Sequence, residues 1–409
     1  MSAAEPIPQH TPAGSDRRPV PLRPLMAQQS ALEVATVSDT AGFAALADGW
    51  DELVGAMARP TPFLLHAWLE EWWRHLGDGA RLAVVVARRD GRLVGALPLM
   101  IHRRLGVRTA TFIGGSDSAL ADLLLAPGEP DATACALVAE LPNLPFDLLD
   151  VFGLPADSRL ARAAGGDLGV HERVEAPVML MPEGFDAAYR AKRGSKRRAE
   201  HRRRMRRLQE SGDAEFTIVR TIDELRPALE EGFRINALRW EGRPDRSLFS
   251  TDAGHAFHRA VLPRLAELDL ARILLLRSEG RVVAFQYWLA YRGSMISCRR
   301  AFDPSFSRFS PGVLTMLHAL EDASEEGLTR VEFLGGPEPY KLEFCDGFEP
   351  LHQGIGYASG VRGRVAGRAE LGMLGLRRTV RHSESLHRIY VDRLAPARRL
   401  AKRLRRSGP

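Results

Sequence analysis

Ala83-Val-Val-Val-Ala-Arg-Arg-Asp-Gly-Arg-Leu-Val-Gly-Ala96 aligns without a gap on Arg272-Ile-Leu-Leu-Leu-Arg-Ser-Glu-Gly-Arg-Val-Val-Ala-Phe285. Each copy reads as a buried strand, a tight turn at Asp90-Gly91 or Glu279-Gly280, and a second strand. The flanks repeat as well. An amphipathic helix precedes each hairpin: Ala67–Leu76, carrying Trp68, Leu69, Trp72, Trp73 and Leu76, and Gly254–Leu268, carrying Phe257, Val261, Leu262 and Leu265. A further apolar strand follows each, Thr109–Ile113 and Met295–Arg299. Later, Leu149-Asp-Val-Phe-Gly-Leu-Pro155 matches Val331-Glu-Phe-Leu-Gly-Gly-Pro337, a strand ending in a Gly-x-Pro exit. The same order of elements occurs twice, which predicts two similar α/β domains at 32–184 and 213–360.

The chain has 409 residues, 45% hydrophobic and 26% charged, enough for sizeable cores. Six prolines in residues 1–31 break any helix there, so that stretch reads as a disordered tail. No apolar run approaches the ~18 residues of a membrane span, and no apolar signal region opens the chain. Three cysteines, Cys135, Cys298 and Cys345, are too few and too scattered for a disulfide framework or a zinc site. The expectation is a soluble, cytoplasmic protein with no metal. Net charge is +6, unevenly spread: Arg190–Arg207 holds eleven Lys/Arg and one acid, Glu200, while Val361–Pro409 holds fourteen and three acids, leaving the remainder at −15. Both basic segments, 185–212 and 361–409, read as helices on or between the domains.

The second copy contains a stretch that the first lacks, Ala301 to Leu320. Ser310 suits an N-cap, Pro311 a first helical position, and Gly312 a close approach to the backbone. A helix start of this kind exposes amides and a positive dipole end, fit for a phosphate, with Arg308 adding a cation. The matching stretch Gly114–Asp122 has two acids and no Lys or Arg, so one anion site per chain is expected. Gly335-Gly-Pro-Glu-Pro-Tyr-Lys341 forms a rigid turn at a strand end, presenting Glu338, Tyr340 and Lys341. Acyl transfer requires a base, an oxyanion donor and an acid for the leaving group: Glu338 suits the base, Tyr340 the acid or oxyanion donor, Lys341 an anchor. Side chains that only pair with one another are the alternative there.

These stretches resemble the GNAT acyltransferase superfamily, in its double-GNAT branch of Fem-like transferases and cellulose- or exopolysaccharide-associated acetyltransferases. The resemblance spans residues 32–360. It rests on Thr61-Pro-Phe-Leu-Leu-His-Ala-Trp68, Ser195-Lys-Arg-Arg-Ala-Glu-His-Arg-Arg-Arg204, Phe302-Asp-Pro304, Arg308-Phe-Ser-Pro-Gly312 and Gly335–Lys341. It implies tandem GNAT-like domains, each a mixed sheet flanked by helices, the second catalytic. It further implies acetyl-CoA or another acyl-CoA as co-substrate, gripped by Arg308, Ser310, Gly312, Val313 and Leu314. The usual Gln/Arg-x-x-Gly-x-Gly/Ala loop is altered here to Pro311-Gly312-Val313. The implied reaction is acyl transfer to an amine or hydroxyl of a small-molecule or saccharide acceptor. Two rivals are an aminoacyl-tRNA-dependent Fem-like transferase, with Arg190–Arg207 on the tRNA, and a non-catalytic scaffold of an exopolysaccharide system. The amphipathic Leu386–Leu394 segment raises peripheral contact with an anionic membrane.

Overall fold

A computed structural model describes residues 31–382, apart from 242–246, 337 and 358. The expected tail before residue 31, and the basic segment beyond residue 382 with Leu386–Leu394, lie outside the described residues. The first half runs β1 (Leu32–Val37), α1 (Thr40–Ala44), α2 (Ala47–Gly55), α3 (His66–Leu76), β2 (Ala80–Arg89), β3 (Arg92–Arg104), β4 (Val107–Phe112), β5 (Leu124–Leu125), α4 (Asp131–Ala139), β6 (Leu148–Leu154), α5 (Arg159–Ala164) and β7 (Leu168–Leu180). Two connecting helices follow, α6 (Phe185–Lys192) and α7 (Ser195–Ser211). The second half runs β8 (Glu215–Val219), α8 (Ile222–Trp240), α9 (Asp252–Glu267), β9 (Ala271–Ser278), β10 (Arg281–Tyr291), β11 (Ser294–Phe302), α10 (Pro311–Glu325), β12 (Arg330–Glu332), α11 (Pro339–Leu342), β13 (Gly347–Gly356) and α12 (Gly360–His382).

The duplicated hairpins are β2–β3 and β9–β10. Asp90-Gly91 and Glu279-Gly280 all take positive φ, as do Leu105-Gly106 and Arg292-Gly293 in the next turn of each copy. Positive φ at both central residues matches a two-residue turn to the strand twist, and glycine in second place accepts it without strain. The second pair of turns escaped the sequence reading because leucine and arginine are not turn formers.

Both halves share one mixed sheet, ordered β1-β2-β3-β4-β6-β13-β7-β12-β11-β10-β9-β8, with β5 paired to β3. Each strand of the first half mirrors its counterpart about the centre, but the last strands are exchanged. β13 from the second half pairs with β6 of the first, and β7 from the first pairs with β12 of the second. β7 and β13 then pair antiparallel with each other along their length. Because each connecting helix follows an exchanged strand, α6 and α7 lie on the second half.

The largest apolar cluster is continuous across the halves. At its seam α3 packs on α9, where Trp68 meets Phe257 edge-on at 5.0 Å between ring centroids. His258 lies among the rings of Trp68, Phe249, Phe257 and Tyr287. Burial pushes its imidazole down to about 3. The folded chain thus binds that proton only near pH 3, whereas the unfolded chain binds it near 6.5. Between those values the unfolded state holds one proton more, so acidification destabilises the fold by roughly 1.4 kcal/mol per pH unit. In urea titrations at pH 7, 6 and 5, His258→Leu is expected to flatten this fall. Parallel profiles for the variant and the native protein would refute it.

Candidate active-site cleft

The cleft originates in a strand split. β11 and β12 pair in parallel only over Ser294–Ile296 and Arg330–Glu332. Immediately beyond, the β10–β11 register skips one residue, Trp288 facing Ser297 and Tyr287 facing Arg299, so Cys298 is a bulge. A bulge bends its strand and increases local twist. β11 runs on to Phe302 while the chain after Glu332 turns away, and a cavity of about 760 Å3 opens between them. Its floor includes Ser297, Arg299 and Phe302, one wall is the start of α10, and the other is Leu334, Gly335, Glu338 and Lys341.

On the first wall, Asp303 accepts from Ser305 N–H (2.9 Å) and Ser305 Oγ (2.7 Å), starting a 3₁₀ turn over Pro304–Phe309 that buries Phe306 and Phe309. That is the structural use of the Phe302-Asp-Pro304 motif. Ser310 then adopts left-handed φ/ψ of 54° and 52°. Its carbonyl accepts from Val313 N–H (2.9 Å) and Leu314 N–H (3.3 Å), and Pro311 has no N–H. Among the described residues Gly312 N–H meets no acceptor, so it remains the outward donor at the positive end of α10. Arg300 Nη1 donates to Gly312 O at 2.7 Å, fixing a guanidinium beside it. A Cβ at residue 312 would lie 3.2 Å from Phe302 Cδ1 and 3.7 Å from Arg300 Cζ. The close approach that Gly312 allows is therefore to the Phe302 ring. An outward amide, a helix dipole and a fixed guanidinium suit a phosphate group.

On the second wall, Lys341 is 6% exposed, with Nζ donating to Leu334 O (2.5 Å) and pairing with Glu338 Oε2 (2.6 Å). Burial holds its ammonium below the usual value, and Arg300 adds to that while Glu338 opposes it. Lys341 thus fastens the turn and fixes Glu338, whose side chain is half exposed to the cleft. Glu338 and Lys341 do pair with one another, as the alternative reading of this turn had it. The Tyr340 side chain lies outside the described residues. Along the rim, Arg239 Cζ sits 4.5 Å over the Phe302 ring beside Trp240.

The structure therefore gathers Ser310, Gly312, Val313, Glu338 and Lys341 around one cavity. It does not bring Arg308 there: its guanidinium is exposed and stacks over Phe309 at 4.6 Å. The Leu314 side chain is buried against the core, leaving only its backbone near the turn. Ser310 corrects the expected side-chain cap, since its left-handed backbone turns the hydroxyl outward, where Oγ accepts from Arg204 Nη1 at 2.6 Å. Sequence reasoning missed that link because the two residues are 106 apart; the only hint was the basic run itself. Glu332, at the end of β12, is buried and bridges Arg59 and Arg330 on another face. Cys298 lines the cleft, and burial pushes its thiol up, away from nucleophile chemistry. Among the described residues no His/Cys/Asp/Glu cluster could hold a metal.

The corresponding place in the first half is filled. The β3–β4 register has no skip. The backbone of 119–121 lies on β6, where Ala121 N–H donates to Gly153 O (3.1 Å) and a Cβ at Gly153 would be 2.8 Å from Ala119 O. Asp122, buried, accepts from Ser158 Oγ, Arg159 N–H and Leu160 N–H at 2.7, 2.7 and 3.0 Å, serving the start of α5. An acid there repels anions and closes the fold instead.

Residues 195–342, which include the split strands and the start of α10, match the family model described as an acetyltransferase (GNAT) domain. The chain thus carries a GNAT-type transferase domain on α7 and the second half, within a tandem GNAT-like fold. Among solved structures, FemX aligns at 10% identity over 78% of this chain and 96% of its own, with a TM-score of 0.52. A conserved protein of unknown function from Bacteroides thetaiotaomicron VPI-5482 aligns at 14% over 76% and 97%, with 0.50. The C-terminal domain of a putative lysylphosphatidylglycerol synthetase from Agrobacterium fabrum aligns at 13% over 79% and 94%, also with 0.50. At these identities the likeness is one of fold. No curated protein matches the sequence significantly.

Proposed function

We propose that the cleft binds acetyl-CoA or another acyl-CoA and transfers the acyl group directly to an amine or hydroxyl of a small-molecule or saccharide acceptor. The observation that carries this reading is the strand split at the Cys298 bulge, with Gly312 N–H, the α10 dipole and Arg300 converging on it. Gly312 N–H would hold the pyrophosphate with Arg300, a cation that replaces Arg308 in this role, while Ser310 and Val313 line the site on either side. A CoA thioester supplies an acyl carbon already activated, so no covalent enzyme intermediate is needed. Glu338, steadied by Lys341, accepts the proton lost by the attacking amine or hydroxyl as the new C–N or C–O bond forms. Tyr340 is assigned to return a proton to the departing sulfur. An envelope or exopolysaccharide acceptor, cytoplasmic placement and contact with an anionic membrane belong to the same proposal; exposed Arg362, Arg364 and Arg368 on α12 support the last. Among the described residues no helix is long and apolar enough to cross a membrane.

Titration calorimetry with CoA and acetyl-CoA tests the reading, with one site per chain expected. No heat and no thermal shift with either would remove it, and would favour the scaffold. A second reading, transfer from aminoacyl-tRNA, is favoured by one observation. Lys196, Arg202, Arg203 and Arg207 on α7 are exposed and form no ion pair among the described residues. Binding of bulk tRNA whose logarithmic affinity falls steeply with salt, alongside no affinity for CoA, would select it.

A further inference from the structure

Glu200 is the one acid among the eleven Lys/Arg of Arg190–Arg207. With Arg197 and Arg204 it occupies the i, i+3 and i+7 positions of one α7 face. Its Oε2 accepts from Arg197 Nη1 at 2.8 Å and its Oε1 from Arg204 Nη2. Each arginine uses its other nitrogen on a different wall of the cleft. Arg204 Nη1 donates to Ser310 Oγ at 2.6 Å, at the start of α10. Arg197 Nη2 donates to Glu343 Oε1, just after α11 on the wall of Glu338 and Lys341. The path Ser310–Arg204–Glu200–Arg197–Glu343 crosses from one wall to the other through a single carboxylate. α7 is seated for this by Leu208 and Met205, which pack with Phe306, Phe309 and Leu314.

We propose that Glu200 is a positioning residue that couples the two walls of the cleft, so that the grip on the nucleotide thioester depends on the placement of the Glu338–Lys341 turn. The inference rests on the acyl-CoA reading above. Left-handed backbone is strained for a non-glycine residue, so Ser310 stays in it only if neighbours hold it. Arg204 supplies that hold from outside the cleft, and so steadies the helix start that presents Gly312 N–H to the cavity. Arg197 does the same for the far wall, and Glu200 sets the spacing of the two guanidinium groups.

CoA affinity measured by calorimetry, with amide hydrogen exchange over residues 338–345, tests the coupling. Arg204→Ala and Ser310→Ala are each expected to weaken CoA binding about tenfold, whereas Ser310→Asn, which tolerates left-handed backbone and keeps a side-chain acceptor for Arg204, is expected to retain it. Arg197→Ala, on the opposite wall, is expected to weaken CoA binding as well, but to add nothing in a Glu200→Gln background. Exchange over 338–345 is expected to quicken in Glu200→Gln, and this holds whether or not the ligand is CoA. Native CoA affinity in Arg204→Ala, Arg197→Ala and Glu200→Gln, with only lowered thermal midpoints, would overturn the coupling while leaving the acyl-CoA reading intact. Absence of CoA binding in the native protein would remove that reading, and unchanged exchange in Glu200→Gln would then overturn the coupling separately.

Discussion

Gly312→Asp is expected to reduce CoA affinity at least about a hundredfold, beyond calorimetric detection. The new Cβ would lie 3.7 Å from Arg300 Cζ, so the carboxylate engages the cation that the pyrophosphate needs. It also places negative charge at the positive end of α10, beside the outward Gly312 N–H, where it repels a phosphate and competes for the donor. The fold should persist, because an acid in the first turn of a helix is itself favourable. Gly312→Ala separates bulk from charge. Its methyl would stand 3.2 Å from Phe302 Cδ1, so the ring must yield by a few tenths of an ångström and a smaller loss is expected. Full CoA affinity in Gly312→Asp would remove the site assignment.

Neither half is expected to fold alone. Residues 32–184 expressed separately lose β13, which leaves the β6 edge bare and strips β7 of both its neighbours. Residues 213–360 lose β7 from between β12 and β13. Each fragment also exposes half of the α3–α9 seam, with Trp68 or Phe257 facing water. Unpaired edges and a bared aromatic seam favour aggregation over a native state. Circular dichroism in urea should show one cooperative transition for residues 32–382 and none for either fragment, with structure regained on mixing the two. A cooperative transition in an isolated fragment would refute this.

Much of the fold was legible because it is written in local chemistry. Asp90-Gly91 and Glu279-Gly280 are turn formers between apolar runs, and α3, α9 and α10 carry their core faces at helical spacing. Part of the site was legible for the same reason: Pro311 suits a first helical position ahead of the apolar run that follows, and the glycines and prolines of Gly335–Lys341 favour a turn. The strand exchange was not legible. β7 and β13 have suitable patterns for either sheet, and the choice between them depends on pairing energies across nearly two hundred residues. Nor could the run Arg190–Arg207 reveal which of its arginines face inward, since each carries the same charge and side chain.

The sequence by itself therefore determined the duplicated elements, the helix start at Pro311 and the excess of cations on α7, because each follows from residues close along the chain. Only the tertiary structure decided that the Cys298 bulge parts β11 from β12, that Arg300 and not Arg308 attends Gly312, and that Glu200 spans the two walls. Those outcomes depend on groups distant in sequence meeting within hydrogen-bond range, where strand register and burial, not local preference, select the partner.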